Sequence, residues 1–296
     1  MKKKNVLALG EILFDVIDGE YKLGGAPFNV AAHLAKLGNN SYILSAVGND
    51  ELGEKIRDEV AAIGVNTDFL LNHPTRPTGT VTVSFNDGEP EYDIVEEVAY
   101  DDLSVDLEAL LAIDWDIIIF GSLAQRTEGN RALYAEILEK TDADWVYFDA
   151  NLRGDYYDKN IIETSLQYAN IGKFNKDEIY ELSELLFEES SSAIEFGHLL
   201  KVKFGIELCV FTYGSEGSKG YYNNSIYNQA IEPIEAVDTV GAGDAFTAAF
   251  LHSWSQAQNV AKGLERGSIL GAYVAGSMGA IPEYSDKIKS VFGLED

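Results

Sequence analysis

Positive charge is scarce in this chain. Its 296 residues hold 22 Lys and Arg against 49 Asp and Glu, a formal net charge of −27. A protein that follows nucleic-acid phosphates needs a basic stripe, and none is present. An anionic membrane surface would repel the chain for the same reason. Cysteine is nearly absent. The single Cys209 excludes an intrachain disulfide, and its apolar setting LCVF suits a buried strand. The four histidines, at 33, 73, 198 and 252, are scattered, so no zinc-ligand spacing exists. No apolar run approaches the ~18 residues of a membrane span. The opening MKKKNVLALGE has lysines like those of a signal peptide, but VLAL stops at Gly10 and Glu11 and reads as a strand. The patterns GxxxxGK[ST], GxSxG and HExxH do not occur, and GSEGSKG (214–220) has P-loop letters at the wrong spacing. These absences leave a cytoplasmic protein acting on a small, largely neutral molecule, its acidity serving solubility.

What is present is an α/β rhythm. With 46% hydrophobic and 24% charged residues, the chain can bury the core of one large domain spanning 1–296. Strands are expected at 5–9, 41–47, 116–120, 145–149, 170–174 and 207–213. Helices are expected at 27–38, 51–63, 128–139, 160–168, 176–185 and 192–204. Near-continuous apolar strands alternating with helices indicate a parallel sheet covered on both faces. Between about 67 and 98 the rhythm breaks. TVTVSF alternates polar and apolar residues, NDG offers a turn, and EYDIV offers a second strand. This hairpin, with residues 11–25, would form a small antiparallel sheet, either a lid or an extension of the main sheet. GYYNNSIYNQ (220–229) reads as a second hairpin turning at Asn223 and Asn224, and the chain is helical beyond 242 with breaks near 257 and 280.

The stretch DTVGAGDAF (238–246) places a lone aspartate behind a loop nearly bare of side chains. Alanines favour a helix from about 242, which places Gly241, Ala242 and Gly243 at its N-terminus. Unpaired N–H groups and partial positive charge collect there, and glycines let an anion approach without a Cβ in the way. Asp244 is then either a helix N-terminal carboxylate stabilised by the dipole or a base beside an anion hole. The second arrangement is what phosphoryl transfer to an alcohol requires. His33 shares a helical face with Asn29 and either looks into a site or is packed in the core.

DTVGAGDAFTAA resembles the C-terminal signature of the ribokinase-like (PfkB) carbohydrate kinases, and LGGAPFNVAAHLAKLG (23–38) resembles their N-terminal signature. The resemblance covers essentially the whole chain and implies the ribokinase-like fold: a central, mostly parallel sheet flanked by helices with a small β lid. It implies that Asp244 is the catalytic base and that the amides of Gly241, Ala242 and Gly243 form the anion hole. Asp15, Gly24, Gly25 and Asn29 correspond to the sugar-binding residues. KFNKDEI (173–179) resembles the family's NxxE element. Asn175 and Glu178 would then orient Mg2+ and phosphate through water, although the same pair also reads as a helix capping box. Lys173 in that element and Arg153 in FDANLR (148–153), with Asp149 and Asn151 at the site floor, would face nucleotide or phosphate. In FTYGSEGSKGYY (211–222), Thr212, Gly214 and Gly217 correspond to the nucleotide loop, or to a plain β-turn. The small-residue helix GSILGAYVAGSMGA (267–280) suits a flat adenine or close helix packing. A monovalent cation such as K+ near the anion hole would involve Asp238, and the lid sheet could pair with its twin in a homodimer, as in some relatives.

The combination resembles the fructokinase branch, which implies fructose and ATP as substrates and fructose 6-phosphate as product. One departure stands out: EYDIVEEVAYDDL has acids and Val95 where that branch often carries an arginine. Ribose, 2-keto-3-deoxygluconate or a nucleoside therefore stay open as acceptors. A non-catalytic sugar or nucleotide sensor would show a damaged GAGD loop, and the loop is intact.

Overall fold

The computed structural model describes residues 2–86 and 89–294, so the expected Asp87–Gly88 turn lies outside the described residues. Strand β1 (Asn5–Leu9) leads into the hairpin of β2 (Leu13–Ile17) and β3 (Glu20–Gly24). Helix α1 (Ala26–Lys36), β4 (Asn40–Gly48), α2 (Glu51–Ile63) and β5 (Leu70–His73) follow. A second hairpin comprises β6 (Gly79–Asn86) and β7 (Glu89–Ile94). Then come α3 (Leu107–Leu111), β8 (Ile117–Gly121), α4 (Glu128–Lys140), β9 (Trp145–Asp149), α5 (Lys159–Tyr168) and β10 (Ile171–Asn175). The chain continues through α6 (Lys176–Phe187), α7 (Ala193–Phe204), β11 (Leu208–Thr212), β12 (Ser218–Tyr222) and β13 (Ser225–Gln229). It ends with α8 (Ala242–Ala257), α9 (Val260–Ala275) and α10 (Asp286–Phe292).

The main sheet has nine strands in the order β13-β12-β11-β10-β9-β8-β1-β4-β5. The pairings from β11 to β5 are parallel, and β12 and β13 add an antiparallel edge. The β12–β13 turn falls at Asn223 and Asn224, both with positive φ, which suits a two-residue hairpin. The small sheet runs β3-β2-β6-β7, two antiparallel hairpins joined by the parallel pair β2–β6. The stretch expected to be inserted from 67 to 98 divides. Leu70–His73 pairs in parallel with β4 at the edge of the main sheet, and only β6 and β7 join the small one. The reason is that α2 forms an ordinary crossover after β4, and its next strand returns to the same sheet.

The central strands are apolar along their length because both faces are covered. Among them, Cys209 in β11 is fully buried, and burial pushes its thiol well above the ordinary range. On one side of the sheet, Phe246, Phe250 and Trp254 recur every four residues on α8 with near-parallel rings. Gly263 and Gly267 of α9 sit against Phe250 and Phe246, where an added Cβ would come within 2.8 Å of each ring. A Cβ on Gly271 would lie 3.0 Å from the Ala242 carbonyl. The bare face of α9 at 263, 267 and 271 thus serves close packing against α8. That packing fixes the start of α8, where Asp244 sits. Replacing Phe250 by Ala is expected to cost about 3–5 kcal/mol of stability, measured as a lowered denaturant midpoint at unchanged m-value.

Candidate active site

Two helix N-termini meet at the carboxyl ends of the parallel strands, where open α/β sheets bind ligands. The first is that of α1. Gly24 lies close against Asp15 on β2, and a Cβ there would stand 2.5 Å from Oδ2 and push that carboxylate from its place. Gly25, the residue before α1, has φ 109, and a Cβ on it would strike the Glu11 carbonyl. This turn delivers Asn29 one helical turn later. The second is that of α8, which begins after Gly241 in the left-handed region at φ 75. The side chain of Asn29 donates from Nδ2 to Oδ2 of Asp244 at 2.8 Å, while the Asn29 Oδ1 is buried without a partner. That oxygen is placed to accept a hydroxyl hydrogen. Among the described residues no acceptor is recorded for the N–H of Gly241 or Gly243, whereas Ala242 donates to the Thr239 carbonyl at 3.3 Å. The expected three-amide hole therefore has two uncommitted amides and one shared one.

These groups line one cleft of about 1040 Å³, together with Asp15, Gly25, Arg153, Lys173, Asn175, Thr212 and Gly214. Gly24, Glu178, Ala242 and Gly217 stand behind it. Gly217, expected in the nucleotide loop, has φ 98 and packs against the Gln229 carbonyl, so it serves the β12–β13 edge. Asn175 caps α6, its Oδ1 accepting from the amides of Asp177 and Glu178. Glu178 completes the capping box, accepting the Asn175 N–H at 2.7 Å, and its other oxygen accepts the Leu152 N–H at 3.1 Å. It thereby ties α6 to the segment after β9.

The electrostatics of the cleft are those of carboxylates held out of water. Burial raises Asp244 to about 6, against the lowering effect of the Asn29 hydrogen bond. Burial likewise raises Asp15 to about 6 and Glu11 to about 7. Beneath Gly243, Lys173 Nζ bonds both oxygens of Asp149 at 3.0 Å. Burial alone would depress Lys173, but Asp149, Glu178 and Asp244 outweigh it and hold the ammonium above its usual range. The charge of Arg153 acts on Glu11, Asp15 and Asp244, the side of the cleft where Asn29 stands.

Two contributors escaped the sequence reading. Lys22 lies opposite Asp15 in the β2–β3 ladder, its charge acting on that carboxylate. The Asp18–Gly19 turn between them, with φ 52 and 81, was the signal that could have placed it. Glu11 lines the cleft with Oε1 accepting from the Ala26 amide and Oε2 buried without a partner. Among the described residues, no group of three His, Cys, Asp or Glu forms a metal cluster. The carboxylates that are present suit a hydrated cation bound together with substrate phosphates rather than an all-protein cage.

Residues 4–287 match the pfkB family carbohydrate kinase model. The chain belongs to this family. As a pfkB carbohydrate kinase it is a sugar kinase, and its fold agrees. An uncharacterized sugar kinase of Pyrococcus horikoshii, solved in complex with ATP, superposes with TM-score 0.83 at 24% identity, over 96% of this chain and 97% of that one. A fructokinase of Salmonella typhimurium is 29% identical over 84% of this chain and 83% of its own length. A 5-dehydro-2-deoxygluconokinase of Clostridium botulinum is 25% identical over 86% and 78%. No helix among the described residues is long and apolar enough to cross a membrane.

The raised carboxylates of this pfkB kinase tie stability to pH. A carboxyl whose folded value lies above its unfolded one contributes stability that is complete below the unfolded value and is lost as pH rises through the folded one. Substrate-free protein should therefore lose stability between about pH 4 and pH 7 through Glu11, Asp15 and Asp244. Glu11→Gln should remove on the order of 3 kcal/mol of that fall, read from denaturation midpoints across the pH range.

Proposed function

We propose that this pfkB kinase transfers the γ-phosphoryl group of ATP to a primary hydroxyl of a small sugar, most simply fructose to give fructose 6-phosphate. The observation that carries the reading is Asp244, held by Asn29 at the start of α8 beside two uncommitted amides. Asp15, Asn29 and the Gly24–Gly25 turn hold the acceptor hydroxyls. Asp244 takes the proton from the reacting hydroxyl, and the amides of Gly241 and Gly243, with the shared one of Ala242, receive the charge on the transferring group. ATP lies along Thr212 and Gly214, with Lys173 and Arg153 supplying positive charge to its phosphates or to the acceptor. Magnesium would neutralise phosphate charge, held through water by Asn175 and Glu178. Asp238, which accepts from the amides of Val240 and Gly279, is the candidate ligand for a monovalent cation such as K+. The β2-β3-β6-β7 sheet acts as the lid. A homodimer through it would cover Tyr21, which is 45% exposed on the face opposite Lys22.

A second acceptor class has its own support. Lys22 and Arg153 bring two cations to Asp15, an unusual concentration in a chain of net charge −27. That charge suits an acid sugar such as 2-keto-3-deoxygluconate, and the likeness to a 5-dehydro-2-deoxygluconokinase points the same way. Measuring ADP release with fructose, 2-keto-3-deoxygluconate, ribose and a nucleoside decides. Fructose should give the highest kcat/KM, and a larger value for an acid sugar transfers the assignment to that class.

Asp244→Asn should lower kcat by about 10²–10⁴-fold while sugar affinity, read by calorimetry, stays within a few fold. Near-wild-type turnover in the folded variant would remove Asp244 from the role of base. A base must be ionised, so the wild-type kcat/KM should fall as pH drops through about 6, above the usual carboxylate range.

A further inference from the structure

We propose that His33 is a positioning residue for phosphoryl transfer: by holding Ala280, it sets where the Gly241 amide of the anion hole stands. The proposal rests on the kinase reading above and extends it to a residue outside the cleft.

His33 lies one turn beyond Asn29 on α1 and is fully buried. Its Nε2 is 2.9 Å from the Ala280 carbonyl, and its Nδ1 is 2.7 Å from the Tyr284 hydroxyl. A carbonyl only accepts, so Nε2 carries the proton, and Nδ1 accepts from Tyr284. The tautomer is thereby fixed and both nitrogens are satisfied. Burial lowers the ring to about 4, so it stays neutral near pH 7.

Ala280 is the back wall of the reacting loop. Gly241 approaches it so closely that a Cβ there would lie 2.5 Å from the Ala280 Cβ. Next to it, the Gly279 amide donates to Oδ2 of Asp238, at the start of the same loop. Helix α1 therefore grips this segment at two points three residues apart. Asn29 holds Asp244 directly, and His33 holds Gly241 through Ala280. An apolar residue could fill the space of His33 but could not bond the Ala280 carbonyl. Displacing an anion-hole amide by about 1 Å costs on the order of 10²-fold in rate.

The test compares His33→Leu, His33→Asn and His33→Gln in the full chain. The Gln amide nitrogen reaches about as far as Nε2, whereas Asn falls short and Leu has no donor. With the best sugar of the panel, Leu and Asn should lower kcat by about tenfold or more with the sugar KM within about threefold, and Gln should recover most of the loss. Hydrogen exchange of the substrate-free amides at 239–245 should speed up by about tenfold in Leu and Asn but not in Gln. Wild-type kcat and exchange in Leu and Asn overturn the proposal. An equal loss in all three overturns it too, because that marks lost packing rather than a lost donor. Should Leu fail to fold, the Asn and Gln pair still decides. Should wild type phosphorylate no sugar, the kinase reading fails, and the exchange measurement still decides the role of His33.

Discussion

One hydrogen bond joins the two halves of this molecule's chemistry. Asn29 and Asp244 are 215 positions apart, yet the amide of one orients the carboxylate of the other at 2.8 Å. The bond requires α1 and α8 to begin at the same place, and much of the architecture exists to bring that about. The order β8-β1-β4 in the sheet sends α1 across one face. The aromatic row of α8, pressed by the bare face of α9, anchors α8 over the neighbouring strands. Neither helix start tolerates a side chain, because at Gly25 and Gly241 φ is positive and backbone atoms already crowd the Cβ position.

The second constraint is electrostatic. A kinase cleft must hold carboxylates for hydroxyls and cations for phosphates within a few ångströms of each other. Here the cations are rationed: Lys173 is committed to Asp149, and the charge of Arg153 is spread over three acids. Burial pushes the acids towards neutrality, so their mutual repulsion is less than their formal charges imply. A hydroxyl-bearing ligand replaces lost water with hydrogen bonds, which is why such a site gains from being filled.

The main strands, the helices and the GAGD loop were legible because their information is local. Apolar runs, turn residues and a glycine-framed aspartate each declare themselves within ten positions. What was hidden depends on distant partners. Leu70–His73 is four residues long and nothing in it distinguishes the main sheet from the small one. Gly217 looks like a nucleotide-loop glycine until the Gln229 carbonyl is seen against it. The role of Lys173 depends on Asp149, 24 positions away on the neighbouring strand. His33 reads as either packed or functional because Ala280 and Tyr284 come from the far end of the chain. The capping-box reading of Asn175 and Glu178 was visible locally, and the structure contains it.

Cys209 carries a practical consequence. It is the only thiol in the chain, it has no exposed surface, and its burial keeps it protonated. The thiolate is the reactive form, so maleimides and spin labels find no target on the folded protein. The molecule is thus already a cysteine-silent background. A single thiol introduced at Tyr21, which is exposed on β3, would be the sole accessible label site, so a probe attached there would report on the small sheet alone.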